Sequence, residues 1–253
     1  MSNSSHPRIS ITTPSTPGEW AHLEREIIDK LNAAAPEFVA RYTRSDGSLI
    51  WRDVWPSMDG SDDPYEAFMN LALFYSIGGN EEVYQLARKM WDAITLQWTE
   101  YGQIYREFDG YYDWMHHGEG LRCFNLMGLS MSTLPVYQTR VRRFAELYMG
   151  EDPDAPNYDT RLKLIRSMQN GSKGPMLRPA TALDWVGDPF DVSKFDAVHG
   201  ESTYAQFLQH YDPYHDVAGD HFINLVATTL PTNAYLLANE AKYKRWLVEY
   251  MDA

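Results

Sequence analysis

The chain has 253 residues, which is enough for one large domain or two small ones with a substantial core. Its formal net charge of −13 argues against a nucleic-acid partner or an anionic membrane surface. Cys123 is the single cysteine, which excludes an intramolecular disulfide and a cysteine-based zinc site. No apolar stretch approaches the roughly 18 residues of a membrane span, and the polar N-terminus lacks the apolar core of an export signal. We therefore expect a soluble, cytoplasmic protein.

The first 60 residues divide into three predicted segments. Residues 1–16 are polar and rich in Ser, Thr and Pro, which predicts a disordered lead-in. Residues 17–41 carry apolar side chains at helical spacing and predict the first helix. Residues 42–60 contain two Asp-Gly pairs and Pro56, which is typical of a long turn-rich connection.

From about residue 62 the sequence repeats one plan three times, over residues 62–94, 116–148 and 219–251. Each repeat begins with an apolar helix and continues, after a short break, with an amphipathic helix. The repeats align without gaps on three pairs of residues that are each 25 positions apart. The pairs are Glu66 and Trp91, Glu119 and Phe144, and His221 and Trp246.

This alternation predicts the fold class. Inner helices of an α/α toroid are buried on both sides, whereas outer helices keep a solvated face. We therefore predict an all-α fold, an (α/α) toroid or partial toroid of repeated helical hairpins with long loops. A closed ring of six hairpins would need about 300 residues at this period. Residues 17–253 are thus expected to form a single α/α-hairpin domain, which is either an incomplete ring or a fragment of a longer toroid. The irregular segment 151–200 is expected to replace a hairpin or to form a long loop.

The loops that enter the inner helices are predicted to open on one end of the toroid and to line one cleft. These stretches, residues 55–66, 106–119 and 210–221, combine carboxylates with aromatic rings, and the last two add histidines. Carboxylates and histidines beside aromatic rings suit general acid–base chemistry, and flat rings can pack against sugars. Helix capping is the alternative for the first stretch, with Asp62 or Asp63 as the N-cap, Pro64 at the first helical position and Glu66 in a capping box.

A metal or cofactor site is less well supported. His117 and Glu119 are two positions apart, so they do not share a helix face, and no H-E-x-x-H spacing occurs. The chain has no phosphate loop, dinucleotide fingerprint or nucleophile elbow. We therefore expect no metal and no cofactor.

The stretches GSDDPYEAFMNLALFYSIGG (60–79) and DGYYDWMHHGEG (109–120) resemble six-hairpin, α/α-toroid carbohydrate-active enzymes. That group includes glucuronidase-type glycoside hydrolases and toroid polysaccharide lyases. The resemblance covers residues 45–148 well and the C-terminal hairpin less closely. It implies a cleft at the inner-helix entries that holds a carboxylate pair or a His/Tyr acid–base pair. The chain departs from the pattern in its missing hairpins, its irregular segment 151–200 and the absence of an export signal.

Our first hypothesis is a glycoside hydrolase-like enzyme that acts on oligosaccharides, including those with uronic acids, by carboxylate acid–base chemistry. The predicted catalytic residues are Glu119, Asp113, Asp62, His117 and His221. The predicted substrate-binding residues are Trp55, Asp63, Glu66, Tyr111, Tyr112, Trp114, His116, Tyr214 and His215. The expected partner is a carbohydrate substrate.

Two alternatives remain open. A polysaccharide lyase would use a Tyr/His pair for β-elimination, with Tyr214 or Tyr112 beside His215 or His117. A non-catalytic α-solenoid would bind a protein or glycan through the same face.

Overall fold

The computed structural model describes residues 16–50, 60–178 and 220–252. These residues are mostly helical, which confirms the predicted all-α class. The α-helices are α1 (Glu19–Tyr42), α2 (Asp62–Ile77), α3 (Glu81–Glu100), α4 (Trp114–Met131), α5 (Pro135–Glu146), α6 (Thr229–Ala238) and α7 (Ala241–Met251). A 3-10 helix, Phe222–Thr228, runs directly into α6. Among the described residues, no helix is long and apolar enough to cross a membrane.

Each predicted repeat folds as a helical hairpin. The hairpins are α2–α3, α4–α5, and the 3-10 helix with α6 followed by α7. Gly78 ends α2 with φ of 141°, and Asn239 ends α6 with φ of 54°. Asn80 begins α3 as its N-cap, because its side chain accepts the N–H of Val83 at 3.1 Å. Local turn chemistry therefore places the breaks between the paired helices.

The first helices of the first two hairpins, α2 and α4, lie side by side. α2 packs against α4 as well as against α3, and α4 in turn contacts the 3-10 helix. α6 contacts both α5 and α7. Aromatic rings fill the space between the first two hairpins, with Tyr65 stacked on Trp91 at 4.4 Å and Trp91 5.4 Å from Phe124. This packing brings the beginnings of the first helices to the same region.

Two short β-hairpins join the helical hairpins and were not predicted. β1 (Ile104–Tyr105) pairs with β2 (Phe108–Asp109) just before α4, and β3 (Tyr158–Asp159) pairs with β4 (Leu164–Ile165) after α5. The turn between β1 and β2 has positive φ at Arg106 and Glu107, a turn geometry that matches the twist of paired strands.

The irregular character predicted for residues 151–200 is confirmed for 151–178, which contain no helix. Part of this segment is buried deeply, with Ser167, Gln169, Asn170 and Ser172 all at most 2% exposed. The segment therefore belongs to the core beside α4, although its sequence is typical of a surface loop. Residues 179–200 lie outside the described residues.

Candidate active site

The entry of α4 is built around Asp113, its N-cap. One carboxylate oxygen of Asp113 accepts the N–H groups of Met115 at 2.9 Å and His116 at 3.2 Å. The other oxygen lies 2.8 Å from Nδ1 of the His116 ring. Burial by itself raises the pKa of Asp113, but the hydrogen bond and charge of His116 outweigh it and hold the pKa below its ordinary value. Asp113 is therefore an ionised group that fixes His116.

Asp62 is joined to this entry through Tyr112. The phenol of Tyr112 donates to Oδ1 of Asp62 at 2.8 Å, and its ring stacks on His116 at 4.6 Å. The capping alternative for this stretch is wrong, because α2 begins at Asp62 itself, after Ser61, and the start of the helix has no side-chain cap. Pro64 is consequently the third helical residue. The carboxylate of Asp62 thus contacts the segment just before α4.

A second link between the entries passes through Asp109, at the end of β2. The hydroxyl of Ser61, immediately before α2, donates to Oδ1 of Asp109. Oδ2 of Asp109 lies 3.6 Å from Nδ1 of His117, which is too long for a hydrogen bond. These contacts hold the beginnings of α2 and α4 together.

His117 is a buried positioning residue. Its Nε2 donates to the carbonyl oxygen of Asn170 at 2.9 Å, and the side chain is enclosed by the rings of Trp114 and Phe108. The residue is 1% exposed. A substrate cannot touch His117 in this conformation, so its predicted catalytic role is replaced by a role in holding the loop at Asn170.

Asn170 was not predicted as a site residue from the sequence. Its backbone pairs with that of Tyr112 through hydrogen bonds of 2.9 and 3.1 Å. Its side-chain oxygen accepts the phenol of Tyr148 at 2.9 Å, and its side-chain nitrogen donates to the carbonyl of Ser167 at 3.0 Å. Asn224 of the 3-10 helix lies 3.3 Å away and connects the third hairpin to the same loop. The local signal was the Asn-Gly pair, which by itself indicates only a turn.

Gly171 allows the loop at Asn170 to approach the backbone of β2 closely. A Cβ atom at Gly171 would lie 2.2 Å from the carbonyl oxygen of Asp109, which is backbone and cannot move aside. Glycine is therefore required here for the close backbone contact.

Glu119, Glu66 and His221 occupy more exposed positions. Glu119 is partly exposed, and its carboxylate has no hydrogen bond or ion pair within the described part of the chain. Glu66 lies 3.7 Å from Arg122 on the neighbouring helix α4. His221 is partly exposed, and its Nδ1 accepts the N–H of Ile223 at 3.4 Å to cap the 3-10 helix.

The remaining predicted binding residues differ in accessibility. Trp114 and Tyr112 are at most 1% exposed, so both are core residues here and offer no ring face to a sugar. Tyr111 is partly exposed, with Lys173 and Arg178 over its ring at 5.7 and 5.6 Å.

His116 and Asp63 also lie at the helix entries, His116 buried and Asp63 partly exposed. Trp55, Tyr214 and His215 lie outside the described residues. Among residues that are described, no group of three or more His, Cys, Asp or Glu side chains could hold a metal ion.

The fold and the site define an all-α protein of helical hairpins whose entries meet in a buried polar cluster beside a partly exposed glutamate. Residues 8–253 match the model of a family described as "Domain of unknown function (DUF8034)", and the chain belongs to this family. No curated protein and no solved structure matches the chain. The function is therefore inferred from the site itself.

Proposed function

We propose that this protein is a glycoside hydrolase-like enzyme built on a partial (α/α) toroid. The contacts of α2 with α4, and of α4 with the 3-10 helix, support an arc in which the first helix of each hairpin faces inward. The hydrogen bonds from Ser61 to Asp109 and from Tyr112 to Asp62 support a common cleft at the entries of the inner helices. In such an arc, substrate binds at the end where these helices begin.

The observation that carries the proposal is the position of Glu119. It is a partly exposed carboxylate without a described partner, in the second turn of a helix whose first turn is fixed by Asp113. General acid–base catalysis needs a group that is rigidly placed yet able to exchange a proton with substrate. The capped first turn of α4 fixes the backbone at Glu119, and the carboxylate is open to substrate, so we assign it as the acid–base residue.

Asp62 is the second carboxylate of the proposal. Asp113 was the other candidate, but both of its oxygens hold α4 and His116 in place, so it acts as a positioning residue. Asp62 is 3% exposed and accepts the phenol of Tyr112, so this role requires the entry of α2 to open when substrate binds. Glycoside hydrolysis by two carboxylates requires such a pair on opposite sides of the scissile bond.

The position of Arg122 supports the proposal that the substrate carries a uronic acid. It is exposed on α4, one turn after Glu119, and its contact with Glu66 at 3.7 Å is a surface ion pair of low strength. A uronate carboxylate can replace Glu66 as its partner and form a bidentate pair with the guanidinium group. Hydrolysis of uronic-acid-containing oligosaccharides is therefore the proposed activity.

The lyase alternative finds less support at Tyr112. A tyrosine that removes a proton in β-elimination must first be a phenolate, but Tyr112 donates its proton to Asp62. A phenolate there would face the negative charge of that carboxylate. The other proposed lyase pair, Tyr214 and His215, lies outside the described residues.

The proposal is tested by incubating the purified chain with neutral and uronic-acid oligosaccharides and following reducing ends and ultraviolet absorbance together. Hydrolysis produces reducing ends without new absorbance, which is the expected result. A parallel rise in absorbance reports the unsaturated product of a lyase and contradicts hydrolysis. A folded chain that binds an oligosaccharide but produces neither signal is a binding solenoid.

A further inference from the structure

α1 carries a stripe of exposed apolar residues that its own hairpins leave uncovered. The stripe consists of Trp20, Leu23, Ile27, Leu31, Ala34 and Phe38, which recur every three or four positions and share one face of the helix. Trp20 is 72% exposed and Ile27 is 58% exposed. Ala35 and Val39, on the face toward the body of the protein, are buried. α1 thus has one apolar face in the core and a second one in solvent.

The second half of this stripe borders a groove between α1 and α2. The groove has a volume of about 430 Å³ and is lined by apolar side chains of both helices. Leu31 and Phe38 form one wall, and Leu71, Phe74 and Ile77 belong to the other. An open apolar groove that continues into an exposed apolar stripe is typical of a protein interaction surface.

The first half of the stripe extends past the end of α2. α1 runs antiparallel to α2, because Phe38 lies 5.5 Å from Phe68, while Ile28 lies over Gly78 at the end of α2. Residues 19–27 therefore continue beyond the groove, with Trp20 and Leu23 exposed. The stripe has bulky side chains at one end and a groove at the other.

We propose that the stripe on α1 and the adjoining groove bind a second copy of the chain, with the two α1 helices antiparallel. A twofold axis near the middle of α1 places Trp20 and Leu23 of each copy at the groove of its partner. The same patch then serves on both subunits, as a twofold interface requires. A helix of the length of α1 covers the whole stripe, including the part beyond the groove.

The charges on α1 favour this antiparallel arrangement. Residues 19–30 of α1 have four acidic and two basic side chains, whereas residues 31–42 have one acidic and one basic side chain. Antiparallel pairing sets the acidic half of each helix beside the half of its partner that has no net charge. Parallel pairing would bring the two acidic halves together, which is unfavourable.

The test is the mass of the full-length chain in solution, measured by light scattering after size-exclusion chromatography. Wild type is expected at twice the 29.2 kDa mass of one chain. Leu23→Glu places a charge in the interface and is expected to give a monomer with an unchanged helical circular dichroism spectrum. Ala33→Glu is the matched control, because it adds the same charge on the exposed face of α1 away from the stripe, and it should remain a dimer.

The register is tested by the double variant Leu23→Cys with Ala34→Cys. These positions are about 16 Å apart along one helix, too far for a disulfide within a chain, but they face each other across the proposed axis. Oxidation is expected to join two chains, and the only native cysteine, Cys123, is buried. A monomeric wild type, a Leu23→Glu variant that stays dimeric, loss of the dimer in Ala33→Glu as well, or a dimer without the cross-link would each overturn the proposal.

Discussion

The side chain of Asp113 has two separate roles at the site. One oxygen caps α4, and the other pairs with His116. Asparagine keeps a side-chain oxygen for the cap, whereas alanine keeps neither interaction. We expect Asp113→Asn to lower the free energy of unfolding by about 1–2 kcal/mol and Asp113→Ala by about 2–4 kcal/mol. Chemical denaturation measures both, and equal losses in the two variants would contradict the separation of roles.

The same residue makes stability depend on pH. The pKa of Asp113 in the folded protein lies below its ordinary value of 3.8, so its contribution is fully present above about pH 4. The contribution is lost as the pH falls through the folded-state pKa. Below pH 4 we expect the stability of wild type to fall more steeply than that of Asp113→Asn. Parallel pH profiles would show that the carboxylate is not stabilised by His116.

Arg122 allows the substrate class to be tested at a single residue. If its guanidinium group binds a uronate carboxylate, Arg122→Gln removes a charge-assisted pair. We expect KM for uronic-acid oligosaccharides to rise about tenfold or more, with little change for neutral ones. Lys89→Gln, at an exposed position of α3, is the control. An equal effect of Arg122→Gln on both substrate classes would exclude recognition of the uronate.

Residue types and spacing predicted which side chains gather at the helix entries, but not which of them are accessible. Asp113 and His116 were identified from a run of polar residues ahead of a helix, and both lie at the entry of α4. His117 and Trp114 came from the same run and are buried. Burial depends on the loop at Asn170, which returns to α4 from 53 positions away along the chain. Such a long-range contact leaves no local pattern.

At the scale of elements, the helices follow from the sequence and the buried loop does not. Apolar periodicity and turn residues such as Gly78 and Asn80 placed the helical hairpins. The first helix was predicted over 17–41 and is observed over Glu19–Tyr42. The two β-hairpins have strands of two residues, too short to produce an alternating pattern.

The buried loop is expected to stabilise the entry of α4. Asn170→Ala removes the hydrogen bonds to Tyr148 and Ser167 and leaves the buried phenol without its acceptor. We expect a loss of about 2–4 kcal/mol in the free energy of unfolding. Asn70→Ala, at an exposed position of α2, should change it by about 0.5 kcal/mol or less. A loss at Asn170 no larger than at Asn70 would contradict a structural role for the loop.

At the scale of the whole molecule, the two proposed functions belong to separate surfaces. The entries of α2, α4 and the 3-10 helix form the candidate active site, and the stripe on α1 forms the proposed dimer interface. The groove ends near Gly78, at the opposite end of α2 from Asp62. We therefore expect a variant that is monomeric through Leu23→Glu to keep its turnover, which a kinetic assay of the monomer measures. Loss of turnover on dissociation would place the second copy in the active site.

The central claim is that Glu119 exchanges a proton with the substrate, and turnover of Glu119→Gln tests it most directly. Glutamine has nearly the same shape but cannot act as an acid or base, and the partly exposed side chain has no described partner to lose. We expect kcat to fall about 10²–10⁴-fold with the fold intact, since general acid–base catalysis contributes about that much. Glu82→Gln, on the exposed face of α3, controls for the loss of one negative charge. Wild-type turnover in Glu119→Gln would contradict the assignment.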